Sequence, residues 1–265
     1  MLPAVDLKVV VLVCRRWREV GEAPGLWTWV NIPPVEAENL AVMTEMVESR
    51  RLHGTERLVL KAVSEEMCEA MVSNPGLRVL NIGANISCVS PVLLARTLSQ
   101  MEEVDLGRSS LACAQASALA TALAQGVRLK RLNLFQCDVS SVVPELLARA
   151  VTNLEEVTLW HSRLTTQQVE AVFRALASSS ALRRLDISYN NLSSVEAGVL
   201  GQAVARLEMA DMGSTSLTGN QVTSILTAVL RSSCLTSLWI SGVQGEVDRQ
   251  LVQQAGRLVP QLRVG

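Results

Sequence analysis

Cysteine and histidine are the residue types in this chain whose chemistry could support catalysis or metal binding. The 265 residues include two histidines, His53 and His161, and six cysteines that are spread along the chain without a C-x-x-C pair. This spacing fits no zinc site, so we expect no metal and no cofactor. Scattered cysteines are typical of free thiols in a reducing compartment, which favours a cytoplasmic or nuclear location.

A nucleophilic cysteine needs a histidine within hydrogen-bond reach, and Cys137 with His161 is the pair that could supply one. We expect this pair to be inactive, because the pattern described below turns Cys137 inward and His161 outward. The loop Gly213–Gly219 is followed by Asn220 rather than lysine, so it lacks the residue that cradles phosphates. The chain is therefore predicted not to be an enzyme, and a hidden hydrolase or transferase is the weakest alternative.

The composition limits the classes of partner. The chain has 24 basic and 25 acidic residues, which gives a net charge of -1, and 49% of its residues are hydrophobic while 3% are aromatic. A balanced charge argues against nucleic acid as a general partner. No apolar run reaches the roughly 18 residues of a membrane helix, so we expect no membrane partner. The core must be aliphatic.

The pattern L-x-x-L-x-L recurs along the chain. It is clearest at Leu129-Lys-Arg-Leu132-Asn-Leu134 and Leu182-Arg-Arg-Leu185-Asp-Ile187. Its second apolar residue, which we use as a marker, falls at Val30, Leu58, Leu80, Val104, Leu132, Val157, Leu185, Leu207 and Leu238. The markers are 22 to 31 residues apart, close to the period of a leucine-rich repeat. Nine parallel strands are predicted, and six of them are strongly marked.

A small inward slot is expected five residues after each marker, where a polar or thiol side chain binds backbone groups of the neighbouring loop. Asn85, Ser109, Cys137, Ser162 and Asn190 occupy it. The repeat at 204–217 fits poorly: Met212 takes the slot and Leu217 comes late, so a longer loop is expected there.

The residues between strands favour helices. Ser90-Pro91 is a helix start, Thr165 with Gln168 forms a capping box, and 114–124 is rich in Ala and Leu. Further helices are predicted at 36–51, 64–72, 142–151, 194–205, 219–231 and 246–257. Helices of this length in every repeat predict an α/β solenoid of the ribonuclease-inhibitor type, with parallel strands on the concave side and helices on the convex side.

Residues 1–32, at the N-terminus, do not follow the repeat until Val30. They carry L-P-x-x-D-L from Leu2, then L-V-C-R-R-W from Leu12, then L-W at Leu26. This order resembles the latter part of an F-box, so the chain is similar to the F-box/leucine-rich-repeat family, with a partial F-box at 1–32 and the solenoid at 33–265. The family pattern begins with an earlier helix carrying L-P-x-E, and we expect the motif here to be truncated at that helix.

The resemblance implies a substrate-recognition subunit of a Skp–cullin–F-box ubiquitin ligase. Its adaptor-facing residues would be Leu2, Pro3, Leu7, Leu12, Val13 and Trp17. The ubiquitin-transfer chemistry would belong to other subunits, and the chain would be a monomer outside the complex. An alternative for 1–32 is a helix that caps the apolar first face of the solenoid. The alternative function is a scaffold or inhibitor without ligase attachment.

A protein substrate would bind on the concave face, where the residues beside each marker point outward. Phe135 and Trp160 fall at the same position of neighbouring strands, and Tyr189 follows the next strand. Aromatic residues and arginine are common anchors of protein interfaces. We predict a partner-binding patch of Phe135, Trp160, Tyr189, Arg131, Arg184 and Trp239. In the alternative, the aromatic pair only stabilises the sheet, and the alternating charges Arg131, Glu156 and Arg184 are a solvated ladder. In the repeat marked by Leu207, the outward residues would be Arg206, Glu208 and Ala210.

Overall fold

The protein forms one continuous parallel sheet with a layer of helices packed against one side of it. The computed structural model describes residues 29–32, 55–60, 63–83, 85–126 and 128–265, with side chains described from residue 55 onward. Within these ranges the sheet has ten strands, and each strand pairs in parallel with the next one along the chain. Consecutive parallel strands joined by helices make a solenoid in which each unit packs on its two neighbours.

The strands are short and regularly spaced. They are β1 Trp29–Ile32, β2 Arg57–Leu60, β3 Val79–Ile82, β4 Glu103–Asp105, β5 Arg131–Asn133, β6 Glu156–Thr158, β7 Arg184–Asp186, β8 Met209–Gly213, β9 Ser237–Ser241 and β10 Gln261–Val264. Eight of these positions were expected from the repeat, and β8 was expected three residues earlier, around Leu207. The last strand, β10, pairs with β9 and was not anticipated, although Val259, Leu262 and Val264 keep the apolar spacing of the motif.

The helices lie close to the predicted positions. They are α1 Glu65–Val72, α2 Pro91–Ser99, α3 Cys113–Ala124, α4 Pro144–Thr152, α5 Thr166–Leu176, α6 Ala197–Val204, α7 Gly219–Val229 and α8 Arg249–Leu258. The predicted helix at 36–51 lies outside the described residues. The Ser90 hydroxyl accepts from the Leu93 N–H, and the Thr165–Gln168 capping box is present, so both helix starts are confirmed.

The register of the sheet follows the markers through seven strands. Val104, Leu132, Val157 and Leu185 are direct partners on neighbouring strands. These side chains and the apolar residue two positions later are fully or almost fully buried between sheet and helices. Aliphatic side chains from both layers form one core that runs the length of the described solenoid. The predicted fold is confirmed.

The inward slot is confirmed at four of its five positions. Each side chain donates a hydrogen bond to a carbonyl of the preceding repeat: Cys137 Sγ to Leu106 at 3.0 Å, Ser162 to Leu134 at 2.8 Å, and Asn190 to Leu159 at 2.7 Å. Ser109 bonds the Ile82 carbonyl in the same way. Asn85 is the exception, because it is exposed and its side chain accepts from the Ser87 N–H, while Ile86 is buried beside it.

The prediction for the repeat at 204–217 was wrong by one apolar position. Leu185 pairs with Ala210, so Leu207 is the first apolar residue of its motif and Ala210 is the marker. Met212 is then the third core residue, and Thr215 fills the slot, where its hydroxyl donates to the Met212 carbonyl. Alanine at the marker hid the motif. No extra loop length is needed, and Leu217 is buried at its regular place.

With this correction, the markers of β5 to β9 are separated alternately by 25 and 28 residues. The alternation has a polar counterpart in three buried glutamines that are 53 residues apart, namely Gln115, Gln168 and Gln221. Each lies in the first turn of a helix, accepts a hydrogen bond from the N–H three residues earlier, and donates to two carbonyls of the preceding repeat. The structural unit of this region is therefore a pair of repeats.

A left-handed residue ends the outward-facing segment of six successive repeats. These residues are Arg108, Gln136, His161, Tyr189, Ser214 and Gly242. Their N–H groups donate to carbonyls of the next repeat, for example Tyr189 to Gly213 at 2.9 Å, which extends the parallel hydrogen-bond ladder beyond the strand. A positive φ is unusual for residues other than glycine. The ladder bond explains why it is kept at this position.

Candidate functional site

The exposed face of the sheet carries three columns of side chains, because alternate strand residues point away from the core. The first column of β3 to β9 is Val79, Glu103, Arg131, Glu156, Arg184, Met209 and Ser237. The second is Asn81, Asp105, Asn133, Thr158, Asp186, Asp211 and Trp239, and the third is Gly83, Gly107, Phe135, Trp160, Ser188, Gly213 and Ser241. This face is the candidate site, because its side chains are free of the core.

Three aromatic rings stand together in the middle of the third column, two of them in the column and the third, Tyr189, directly after its member Ser188. The ring centroids of Phe135 and Trp160 are 4.3 Å apart with an interplanar angle of 31°, and those of Trp160 and Tyr189 are 4.9 Å apart in an edge-on arrangement. His161 lies at the border, with its ring 5.8 Å from that of Trp160. Phe135, Trp160 and Tyr189 are hereafter the aromatic cluster. The left-handed backbone at Tyr189 places its side chain 53% exposed beside the other two.

The aromatic cluster is flanked by small residues in the third column. On one side stands Gly107, where an added Cβ would come within 3.3 Å of the Phe135 Cβ. On the other side are Ser188, Gly213 and Ser241, and both Ser188 and Gly213 are buried. Because Ser188 and Gly213 are covered, the surface over β7 and β8 is formed by the partly exposed side chains around them, which include Asp186 and Asp211.

The first column contains the predicted arginines, both of them in ion pairs. The Arg131 Nη2 atom lies 2.6 Å from Glu103 Oε2, and the Arg184 Nη1 atom lies 3.5 Å from Glu156 Oε2. The hydrogen bond with Glu103 raises the pKa of the Arg131 guanidinium. The four side chains are between about a third and a half exposed, so each pair adds little to stability. The geometry is that of the solvated charge ladder.

The second column is acidic over β4 to β8. Asp105 is held by the Asn81 amide at 2.9 Å. Asp186 and Asp211 are direct partners on neighbouring strands, and each uses one oxygen to accept from a backbone N–H two residues later. Burial raises the pKa of the Asp186 carboxyl, and the adjacent Asp211 raises it further, although hydrogen bonds from Ser188 lower it. Among the described residues neither Asp186 nor Asp211 has a salt-bridge partner.

Trp239 lies apart from the aromatic cluster. It belongs to the second column of β9, three strands from Trp160, which corresponds to about 14 Å of strand spacing. Its indole is 45% exposed, and the guanidinium of Arg263 on β10 lies over the ring at 4.8 Å from its centroid. Arg108 lies in the same way over Phe135, at 5.1 Å. The structure therefore brings together three of the four predicted aromatic residues, and two of its own arginines stack on this surface.

Sequence reasoning placed the wrong residues of β8 on this face. The register puts Met209, Asp211 and Gly213 there instead of Arg206, Glu208 and Ala210. Met209 is 39% exposed, whereas Ala210 is in the core. The correction replaces one arginine with a methionine and makes the face more acidic near Asp186. Pairing Met212 with the last core position of the other motifs would have revealed it.

Cys137 and His161 do not form a nucleophilic pair. The thiol is buried, donates to the backbone, and has its pKa raised by burial to about 11. A thiol of that pKa is protonated at neutral pH and is a poor nucleophile. His161 is exposed and contacts aromatic rings. Within the described ranges there is also no group of three or more His, Cys, Asp or Glu side chains that could hold a metal ion.

The predicted adaptor-facing residues cannot be placed on this site. Leu2, Pro3, Leu7, Leu12, Val13 and Trp17 lie outside the described residues, as does His53. The boundary at 32/33 between the F-box-like segment and the solenoid stays a prediction for the same reason. Of the eight described helices, none has the length and apolar character to cross a membrane.

Comparison with known proteins agrees with this geometry. The family model of the Leucine Rich Repeat matches residues 181–202, which contain β7. A search of the curated proteins finds no match. Among solved structures, a leucine-rich repeat-containing protein of Legionella pneumophila, LegL7, is 16% identical with a TM-score of 0.51, over 80% of this chain and 72% of its own. A protein of Bacteroides fragilis is 12% identical with a TM-score of 0.50, over 90% of this chain and 74% of its own.

The matched motif, the parallel sheet with a helix between successive strands from β2 to β10, and the two similar structures agree on one fold. The chain is a leucine-rich-repeat solenoid of alternating parallel strands and helices.

Proposed function

We propose that this protein is a non-catalytic recognition module that binds a partner protein on the exposed face of its sheet. The observation that carries the proposal is the aromatic cluster. In a chain with 3% aromatic residues, Phe135, Trp160 and Tyr189 stand in contact on a face that the core does not need. Interfaces concentrate their binding energy in such aromatic anchors.

Stabilisation of the sheet requires only part of the cluster. A stacked aromatic pair contributes about 0.5–1.5 kcal/mol beyond its buried area, and the Phe135–Trp160 contact already supplies that. Tyr189 adds a ring that is 53% exposed and that the core does not need for its packing. A partner that covers these rings would explain their exposure.

The test compares the proteins that co-purify with the wild-type chain and with Trp160→Ala. We expect Trp160→Ala to lose the partner while its melting temperature falls by only a few degrees, because the ring is half-buried and outside the core. Val92→Ala is the matched control, since Val92 is 79% exposed on α2, on the opposite side of the solenoid. Equal capture by all three proteins, or a large loss of stability with capture intact, would contradict the proposal.

We propose further that the partner is a substrate of a Skp–cullin–F-box ubiquitin ligase. The support is the order of the L-P-x-x-D-L, L-V-C-R-R-W and L-W strings in residues 1–32. Adaptor binding would then depend on Leu2, Pro3, Leu7, Leu12, Val13 and Trp17. The alternative, a scaffold or inhibitor without ligase attachment, needs only the solenoid.

Co-purification with the Skp adaptor distinguishes the two. The test compares this chain with a form extended upstream, and Trp17→Ala and Leu12→Ala serve as the adaptor variants. Adaptor recovery that is lost in these variants and kept in Trp160→Ala supports the ligase subunit. Absence of the adaptor from both chain forms supports the free-standing scaffold.

A further inference from the structure

The surface beside the aromatic cluster has a chemical character of its own. The Trp160 and Tyr189 rings lie at one side of it, and the partly exposed carboxylates of Asp186 and Asp211 lie next to them on β7 and β8. From strand spacing, the Cα atoms of Trp160 and Asp186 are about 8 Å apart, so one side chain of a partner can touch both. The surface therefore combines ring faces with carboxylates.

The carboxylates give this place a negative charge that the protein leaves uncompensated. The nearest arginine along β7, Arg184, is paired with Glu156, and Arg131 is paired with Glu103. Arg183 is paired with Glu208 and Arg163 with Asp138. Asp186 and Asp211 are the neighbouring carboxylates of the second column, and both keep one oxygen without a protein donor among the described residues. A ligand group that complements these two carboxylates is cationic.

Two of the protein's own arginines already stack on aromatic rings of this face. The Arg108 guanidinium lies 5.1 Å from the Phe135 centroid at one side of the cluster, and that of Arg263 lies 4.8 Å from the Trp239 centroid. No described cation lies over Trp160 or Tyr189, which are the rings next to the aspartates. A guanidinium can stack on an aromatic ring and bond a carboxylate with its edge at the same time, whereas an ammonium cannot do both as well.

We propose that Trp160, Tyr189, Asp186 and Asp211 form a receptor for an arginine side chain of the partner protein. The guanidinium stacks against the Trp160 and Tyr189 rings and donates hydrogen bonds to the free oxygens of Asp186 and Asp211. This inference rests on the proposed protein-binding function and identifies the residue that the partner inserts. Binding of the guanidinium also relieves the repulsion between the two aspartates.

The experiment uses the full chain and three short peptides, Ac-Gly-Ser-X-Ser-Gly-amide with X as arginine, citrulline or lysine. Citrulline keeps the shape of arginine and removes its charge. Binding is followed by NMR through the indole N–H signal of Trp160, assigned with Trp160→Phe. We expect the arginine peptide to shift this signal saturably, with a dissociation constant at least tenfold lower than that of the citrulline peptide and several-fold lower than that of the lysine peptide.

The variants test the carboxylates. Asp186→Asn combined with Asp211→Asn should weaken arginine binding at least tenfold. Asn133 already occupies the same column position and bonds the Phe135 N–H at 2.9 Å, so an amide is tolerated there. Asp105→Asn is the matched control, because Asp105 has the same backbone setting but is already held by Asn81. It should leave arginine binding unchanged.

Equal affinity for arginine and citrulline, equal affinity for arginine and lysine, or unchanged binding in the double variant would each overturn the proposal. An equal loss in Asp105→Asn would do the same, since it would indicate a general charge effect. If Trp160→Ala loses the captured partner but the arginine peptide fails to bind the wild-type chain, the recognition function stands and the arginine receptor is wrong.

Discussion

Replacing Gln168 with leucine tests whether the buried glutamines hold successive repeats together. The Gln168 side chain is fully buried. Its amide donates to the Val139 and Val142 carbonyls at 2.8 and 2.6 Å, and its oxygen accepts from the Thr165 N–H at 2.9 Å. The Val139 carbonyl keeps a second donor, the Val142 N–H at 3.0 Å. Gln168→Leu thus removes the hydrogen bonds shown for the Val142 carbonyl and the Thr165 N–H.

Each buried polar group that loses its partner costs about 1–3 kcal/mol. The Val142 carbonyl is such a group, whereas the Thr165 N–H is only partly buried and adds less, and burial of the leucine side chain offsets part of the cost. We expect Gln168→Leu to lower the free energy of unfolding by about 2 kcal/mol. The loss falls on the junction between α5 and the preceding repeat, so amide hydrogen exchange should accelerate there first.

The assay is urea unfolding followed by far-UV circular dichroism. Gln167→Leu is the matched control, because Gln167 is the next residue on the same helix and is exposed. We expect Gln167→Leu to change the free energy of unfolding by less than about 0.5 kcal/mol. If the two variants unfold at the same urea concentration, the glutamine bonds do not stabilise the stack and the reasoning fails.

Three further predictions concern packing, charge and thiol reactivity. Gly201→Ala should destabilise the protein by about 1–3 kcal/mol, because the added Cβ would lie 2.8 Å from the Ser224 carbonyl oxygen. Gly198→Ala on the same helix brings its Cβ no closer than 3.7 Å to another atom, and it should stabilise the protein by about 0.5–1 kcal/mol. Thermal melts of the two variants check this pair of predictions. Burial raises the pKa of the Asp186 carboxyl, so its ionisation at neutral pH destabilises the folded protein. The melting temperature of Asp186→Asn should therefore be above that of the wild type at neutral pH. The difference between the two melting temperatures should vanish as acid protonates Asp186. Alkylation of the native protein, followed by mass spectrometry, should modify the exposed thiols of Cys88, Cys113 and Cys234. The thiols of Cys68 and Cys137 should be protected, because they are buried and burial raises their pKa. Fast modification of Cys137 would contradict the inward slot.

The correction at β8 shows how the binding face depends on register. A marker shifted from Ala210 to Leu207 exchanges every outward residue of that strand. With Arg206 and Glu208 outward, the face would carry another mixed pair of charges. With Met209 and Asp211 outward, it gains an apolar side chain and a second carboxylate beside Asp186. The arginine receptor exists only in the second register.

The amino-acid sequence determined the solenoid by itself. Aliphatic residues at Leu132, Val157 and Leu185 recur at the repeat period, and each unit leaves an apolar face that only a neighbouring unit can bury. The inward slot and the helix starts follow from equally local signals, since Cys137, Ser162 and Asn190 bond backbone groups at fixed positions in the motif. Such features are read from spacing because the interactions repeat with the chain.

The tertiary structure decided the features that join different repeats. An alanine at a marker position gives no periodic signal, so the register of β8 was fixed only by pairing with β7 and β9. The pairing of Asp186 with Asp211 and the edge-on contact of Tyr189 with Trp160 depend on that register and on a left-handed backbone. The geometry of the sheet brings together residues that are 25 or more positions apart in the sequence. The repeat pattern alone does not indicate which of their side chains remain unpaired.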